Sequence, residues 1–293
     1  MDLFKDKQIA DSTKSLYIKN LKRLNGGNDI KSIKFLDDMD DILKKISKYA
    51  PTTQRSYIIS ICSLLKNKKN TRYDDYFKLL TSMNNDLKVN TSKSDSQKKN
   101  WMDYDEIKKI YDDKKNKLFP LPKKLKKKEF IELRDFMVFS LYMLTPPRRN
   151  KDYQIMVLSN KMDDKDYNYL LDKTFIFNNY KTKKTYNEVK QDIPDDLMSV
   201  IEIYLKHHPR SKELKKKKYL VPFLVDEEGE PLKHINSITS ILNKQIGKKI
   251  GVSMLRNIYL THKHGDAQEE LENDVAAMGT STNTATNHYI KKD

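Results

Sequence analysis

Cysteine is almost missing from this chain. Cys62 stands alone among 293 residues, so neither an intrachain disulfide nor a cysteine metal cluster can form, and a reducing compartment is expected. Glycine is scarce as well, with seven residues. None of them forms a GxxxxGK phosphate loop, which argues against an ATP-driven motor. There is no HExxH and no Cys/His cluster, so no transition-metal site is expected. His207-His208 close a helix, and His262 and His264, two apart, do not share a helix face. No apolar run approaches the roughly 20 residues that cross a bilayer. Residues 1–11, with Asp2, Lys5, Asp6 and Lys7, lack the apolar stretch of a signal peptide. A soluble, intracellular chain with no membrane partner is expected.

Acidic residues are in deficit: 41 Asp and Glu face 57 Lys and Arg, a net charge of +16. A field of that sign draws polyanions, nucleic acid first and an anionic membrane surface second. The rival account is a lysine-rich composition inherited from an AT-rich genome. Apolar residues make up 37% and charged residues 33%, which is polar for a globular chain. The 17 Tyr and 10 Phe nevertheless argue against disorder. The length suits one large domain or two ordinary ones.

The first hundred residues read as helical. Asp11-Ser12-Thr13 offers a cap for a helix carrying Tyr17, Leu21 and Leu24, and Gly26-Gly27-Asn28 ends it. A second helix is expected over 33–49. A third starts at Pro51-Thr52-Thr53, with Ile58, Ile61, Cys62 and Leu65 on one stripe, and a fourth covers 73–87. Residues 90–100 contain no apolar side chain and read as a linker. The expected division is a helical domain at 1–89, a linker at 90–100 and a larger domain at 101–293. The larger part is expected to hold a helix over 103–115, a basic solvated stretch at 123–128 and a helix over 130–144. The last is apolar on nearly every face and therefore buried, and Pro146-Pro147 stop it. Phe175-Ile176-Phe177 and 189–193 read as paired strands joined by a polar turn at 181–187. Asp195 and Asp196 suit the start of a helix carrying Leu197, Val200, Ile201, Tyr204 and Leu205. Helices dominate from Asn236 onward. The fold class is mostly α with a small β-sheet.

Four segments carry residues suited to phosphate chemistry. Arg148 and Arg149 leave the buried helix and enter an amphipathic stretch with Tyr153, Met156 and Val157. A guanidinium presents paired donors to phosphate and keeps its charge. Asp152, three residues after Arg149, is spaced to orient it. The plain alternative is a surface pair after a helix stop. Ser253 and Arg256 share a helix face at i, i+3. Ser253 has two readings, a helix N-cap and a catalytic hydroxyl. Arg256 lies within an otherwise apolar stretch, unlike a surface arginine. Lys181, at the tip of the strand pair, can protonate a leaving oxygen, with Lys183 and Lys184 as neighbours able to serve instead. Finally, His288-Tyr289-Ile290-Lys291-Lys292 closes a helix-like segment that begins after Gly279. Arginine, lysine, arginine and tyrosine in that order on a basic chain are what phosphodiester chemistry with a tyrosine nucleophile requires.

These elements in this order resemble the tyrosine recombinase (phage integrase) family over nearly the whole chain. Ser12-Thr13-Lys14-Ser15-Leu16-Tyr17 and Pro51-Thr52-Thr53-Gln54-Arg55-Ser56-Tyr57 look like the family's helical, SAM-like core-binding domain, with Lys14 and Arg55 as DNA contacts. The part after Trp101 looks like its α+β catalytic domain. The family's first arginine is trailed by an acidic residue three positions on, which matches Arg149 with Asp152. Arg148 is the better match to its Thr-Gly-x-Arg, counted from Thr145. Tyr180-Lys181-Thr182 resembles the hairpin lysine, and Ser253-Met254-Leu255-Arg256 the His-x-x-Arg box. Met278-Gly279-Thr280 resembles the Leu-Gly-His that lies nine residues before the nucleophile, here Tyr289. Ser253 and Thr280 depart from the histidines usual at those places. The Pro-Pro-Arg-Arg form is similar to that of recombinases of large DNA viruses and their parasites.

The resemblance implies DNA strand cleavage and rejoining through a 3′-phosphotyrosine at Tyr289. Arg149 and Arg256 would hold the non-bridging oxygens, Thr280 and Ser253 would add donors, and Lys181 would protonate the leaving 5′ oxygen. Lys183 and Lys184 would touch DNA. No cofactor, metal or ATP is implied, because the covalent link conserves bond energy. Double-stranded DNA is the implied partner, met by four protomers on DNA and by a monomer or weak oligomer when free. Four residues follow Tyr289, so no long exchanged C-terminal helix is expected. A type IB topoisomerase and a DNA-binding relative without turnover remain the alternatives. Host nucleus, viral factory and cytoplasm are equally open as its location.

Overall fold

The computed structural model describes residues 3–4, 7–66, 72–88, 93–159, 161–162, 164–215, 220–232, 234, 236–279, 281–282 and 285–286. The protein is mostly helical with one small mixed sheet of five strands. It divides into two compact units, Met1–Lys93 and Ser94–Asp293. Among the described residues no helix is long and apolar enough to cross a membrane.

The first unit is built from α1 (Asp11–Leu24), α2 (Met39–Ile46), α3 (Pro51–Leu65) and α4 (Tyr73–Lys88). Its core holds Leu21, Leu24, Ile42, Ile46 and the α3 stripe Ile58, Ile61, Cys62 and Leu65. Proline at the first position of α3 starts that helix without losing a bond, since its N–H would be unsatisfied there anyway. Two expectations are corrected. The N-cap of α1 is Ala10, so Asp11-Ser12-Thr13 lie inside its first turn. The helix expected over 33–49 is broken, because the Asp38 carboxylate accepts from the Asp41 amide and starts α2 afresh.

The boundary between the units falls within the polar stretch 90–100. Its second half forms α5 (Asp95–Asn100), opened by a capping box between Ser94 and Gln97. No side chain of α5 is buried, which is why its sequence reads as linker. In the second unit, α7 (Lys127–Met143) is the central helix, flanked by α6 (Tyr104–Leu118), α10 (Asp195–Lys206) and α12 (Ser237–Ile246). Eleven of its 17 residues are buried, as a helix apolar all round requires. The sheet runs β4-β3-β2-β1-β5, with β1 (Met156–Leu158) parallel to β2 (Asn168–Leu171) and every other pairing antiparallel. Strands β3 (Thr174–Phe177) and β4 (Val189–Asp192) match the expected pair. The turn between them contains a short helix, α9 (Lys183–Tyr186), and is not a simple polar turn. Strands β1, β2 and β5 (Val221–Pro222) add to the two strands read from sequence.

His208 lies between α10 and α11 (Ser211–Lys215) and is 1% exposed. The Arg210 amide donates to its Nδ1 at 3.1 Å, so Nε2 carries the proton and donates to the Pro222 carbonyl at 3.2 Å. Burial pushes this imidazole down to about 4. The unfolded chain takes up a proton near 6.5, so stability is complete above that pH and is lost as pH falls towards about 4. A shift of this size corresponds to about 3 kcal/mol. Urea unfolding followed by Trp101 fluorescence should lose about that much across this window, and His208→Gln should flatten the slope. An unchanged slope in the variant would remove His208 as the cause.

Candidate functional site

The end of α7 builds the first wall of the site. Thr145 donates to the Leu141 carbonyl at 2.7 Å and closes the helix, and Pro146-Pro147 turn the chain away. Arg149, with extended backbone, is the N-cap of α8 (Asn150–Gln154), and Asp152 sits within that helix. The Arg148 Nε donates to Asp152 Oδ2 at 3.1 Å. Its guanidinium carbon lies 3.6 Å from the centre of the Phe177 ring and 5.3 Å from that of Tyr180. The guanidinium is thus oriented by a buried carboxylate and by an aromatic face, the two contacts that suit a planar cation best. Arg149 does not pair with Asp152. The expectation that Asp152 orients Arg149 is therefore corrected: the carboxylate holds Arg148. Helical spacing cannot be counted from Arg149, because its backbone is extended and α8 begins one residue later.

A buried asparagine ties this corner to the β3–β4 connection. Asn168 is fully buried. Its Nδ2 donates to the Asp152 carbonyl at 2.7 Å and the Asn179 carbonyl at 3.2 Å. Its Oδ1 accepts from the Asn178 and Asn179 amides at 2.9 and 2.8 Å. Asn150 pins the start of α8, accepting from the Tyr142 hydroxyl and donating to Thr239 Oγ1. The second wall comes from α13 (Val252–Ala277), whose first turns are seated by Val252, Leu255 and Ile258. Arg256, one turn in, is half-buried and faces the same space.

Together these walls enclose a cavity of about 290 Å³ lined by Arg148, Arg149, Asp152 and Arg256. The hairpin supplies Tyr180, Thr182 and Tyr186 to it, and β4 supplies Val189 and Gln191. Three guanidiniums against one carboxylate leave the lining positive. Burial raises the Asp152 carboxyl above its ordinary range, against the pull of Arg148, Arg149 and Arg256. Its Oδ1 has no hydrogen-bond partner among the described residues. Neither the Arg149 nor the Arg256 guanidinium has an ion-pair or hydrogen-bond partner among the described residues. Charge of this sign in a half-buried space, with Arg148 held by Asp152 and Phe177, suits an oxyanion with several oxygens.

The remaining candidates fall outside the lining. Lys181 is exposed and lies between two residues that line the cavity, Tyr180 and Thr182. Lys183 and Lys184 are exposed on α9. Ser253 is exposed in the first turn of α13, and Gly251 is the N-cap, so the capping reading of Ser253 is corrected. In the first unit, Arg55 donates to Asn84 Oδ1, bracing α3 against α4, and Lys14 is half-buried on α1. Thr280 and Tyr289 lie outside the described residues. Sequence reasoning missed Asn168, Phe177 and Tyr186. Phe177 was legible only as a strand residue, and nothing local marks Asn168. Among the described residues no three His, Cys, Asp or Glu side chains form a group able to hold a metal ion.

No known protein-family model, no curated protein and no solved structure shows significant similarity to the chain.

Proposed function

We propose that this protein cleaves and rejoins double-stranded DNA as a site-specific recombinase of the tyrosine type. The observation that carries this reading is the meeting of Arg148 and Arg149 with the distant Arg256 around one cavity. Arg148 and Arg256 hold the non-bridging oxygens of the scissile phosphate and stabilise the charge that grows on them. Arg149 adds a third positive charge. Tyr289 attacks phosphorus, the 3′ phosphate passes to its oxygen, and the 5′ oxygen leaves with a proton. Lys181 gives that proton from the edge of the cavity, and Thr280 supplies a further donor. The first unit acts as the core-binding domain and the second as the catalytic domain. Four protomers assemble on DNA for exchange. Binding through lysines to the DNA backbone makes affinity fall steeply with salt.

The test is covalent capture. A nicked duplex bearing the target site should give a protein–DNA adduct that withstands denaturation and forms in EDTA. Tyr289→Phe should bind that DNA without forming adduct. An adduct that survives this substitution overturns the assignment, as does failure to form adduct on any site. One observation favours a second reading, a DNA-binding relative without turnover: Ser253 is exposed and does not line the cavity. Binding without adduct in the unaltered protein would select it.

A further inference from the structure

We infer that Tyr186 is a stacking platform for an unpaired nucleobase beside the phosphate held in the arginine cavity. The inference rests on the proposed phosphodiester chemistry and names the DNA feature that the site prefers: a base whose face is free, as at a nick, a gap or a mismatch. Tyr186 is 66% exposed, more than any other large hydrophobic side chain among the described residues. It lines the same cavity as Arg148, Arg149 and Arg256. Tyr142, Tyr153 and Tyr204 of this unit are withdrawn from water, whereas the ring of Tyr186, left on the lip of a cationic cavity, has area to offer a ligand.

Its position is fixed by the local backbone. The Tyr180 hydroxyl donates to the Asn187 carbonyl at 2.8 Å. The Asn187 amide donates to the Lys183 carbonyl at 2.8 Å and closes α9. Asn187 takes φ 55° with ψ −141°, outside the left-handed helical region in which asparagine is at home. The Tyr180 that anchors this turn also lies 5.3 Å from the Arg148 guanidinium. The backbone that carries Tyr186 is thereby tied to the residue that lies beside Arg148. Lys183 and Lys184 precede Tyr186 on α9, exposed and without a carboxylate partner among the described residues, so the same short helix offers cations to the phosphates beside a splayed base. An aromatic ring accompanied by cations is the combination that binds unstacked bases without regard to sequence. An intact duplex hides its base faces and gains nothing from it.

The full-length protein is titrated with an intact duplex, a nicked duplex and a gapped duplex of one sequence. A fluorescent adenine analogue sits beside each interruption. The interrupted duplexes should bind about tenfold more tightly than the intact one, with the analogue quenched on binding. Tyr186→Phe should keep that preference and Tyr186→Ser should lose it. Equal binding of all three by the unaltered protein overturns the inference. So does a Tyr186→Ser protein that still prefers the interrupted duplexes, or a Tyr186→Phe protein that loses as much as Tyr186→Ser, since a hydroxyl contact would then be responsible. Circular dichroism confirms that the variants fold. If Arg148→Ala weakens binding while Tyr186→Ser does not, the stacking role alone fails. If the unaltered protein binds none of the three, the DNA reading of the cavity fails with it.

Discussion

Arg148→Ala should slow the proposed strand cleavage by about 10²–10³, the loss typical when one preorganised donor to a developing oxyanion is removed. Arg149→Ala should slow it by about tenfold only. The difference comes from how the two side chains are held. Arg148 is fixed by Asp152 at 3.1 Å and by the Phe177 ring at 3.6 Å, so its fork is aimed before DNA arrives. Arg149 has no such partner among the described residues and must be ordered by the substrate, which offsets part of what its charge contributes. Arg148→Lys should recover little, because an ammonium can neither lie flat on Phe177 nor present two parallel donors. The measurement is the single-turnover rate of adduct formation on a nicked duplex with DNA in excess. An Arg149→Ala protein slower than Arg148→Ala would restore the sequence spacing as the better guide.

That spacing illustrates what the chain discloses and what it hides. The helices α3 and α10 were legible because each carries an apolar stripe that is its buried face, and α7 because it is apolar on nearly every side and buried accordingly. Strands β1 and β5 were not. They span three and two residues, and β1 is buried throughout, so neither shows alternation. Strand β2 opens with a polar residue, Asn168, that is buried only because partners distant in sequence satisfy its amide. In the site, the types of the arginines were legible and their pairing was not. Whether a carboxylate meets residue i−3 or i−4 depends on where a five-residue helix begins. The extended backbone of Arg149 moves that start by one residue. Lys181 was legible as a hairpin lysine. The helical turn beside it, which carries Tyr186 to the cavity, was too short to leave a periodic trace.

Asn168→Ala should destabilise the second unit by about 3 kcal/mol, an unusually large effect for one polar side chain on a small strand. The amide bridges α8 and the chain that follows β3 by hydrogen bonds. It gives its protons to the Asp152 and Asn179 carbonyls and takes those of the Asn178 and Asn179 amides. Truncation leaves these backbone groups without their partner, at about 1–3 kcal/mol for each group left buried and unsatisfied. Water entering the vacated space recovers part of the sum. Asn179→Ala is the control, because its side chain donates to the Asp166 carbonyl in an exposed bond at 2.9 Å, and its loss should stay within about 0.5 kcal/mol. Trp101, the only tryptophan, packs against the core of the second unit, so its fluorescence in urea reports this unit. The same substitution bears on the site. With the brace gone, the Asp152 carbonyl and the β3–β4 connection move independently, and Arg148 can no longer be held by Asp152 and Phe177 at once. Affinity for inorganic phosphate should therefore fall together with stability in Asn168→Ala, and should not fall in Asn179→Ala. A stable Asn168→Ala protein would show that the two segments are held by the sheet alone. An unstable one with intact phosphate affinity would show that Arg148 keeps its aim without the brace.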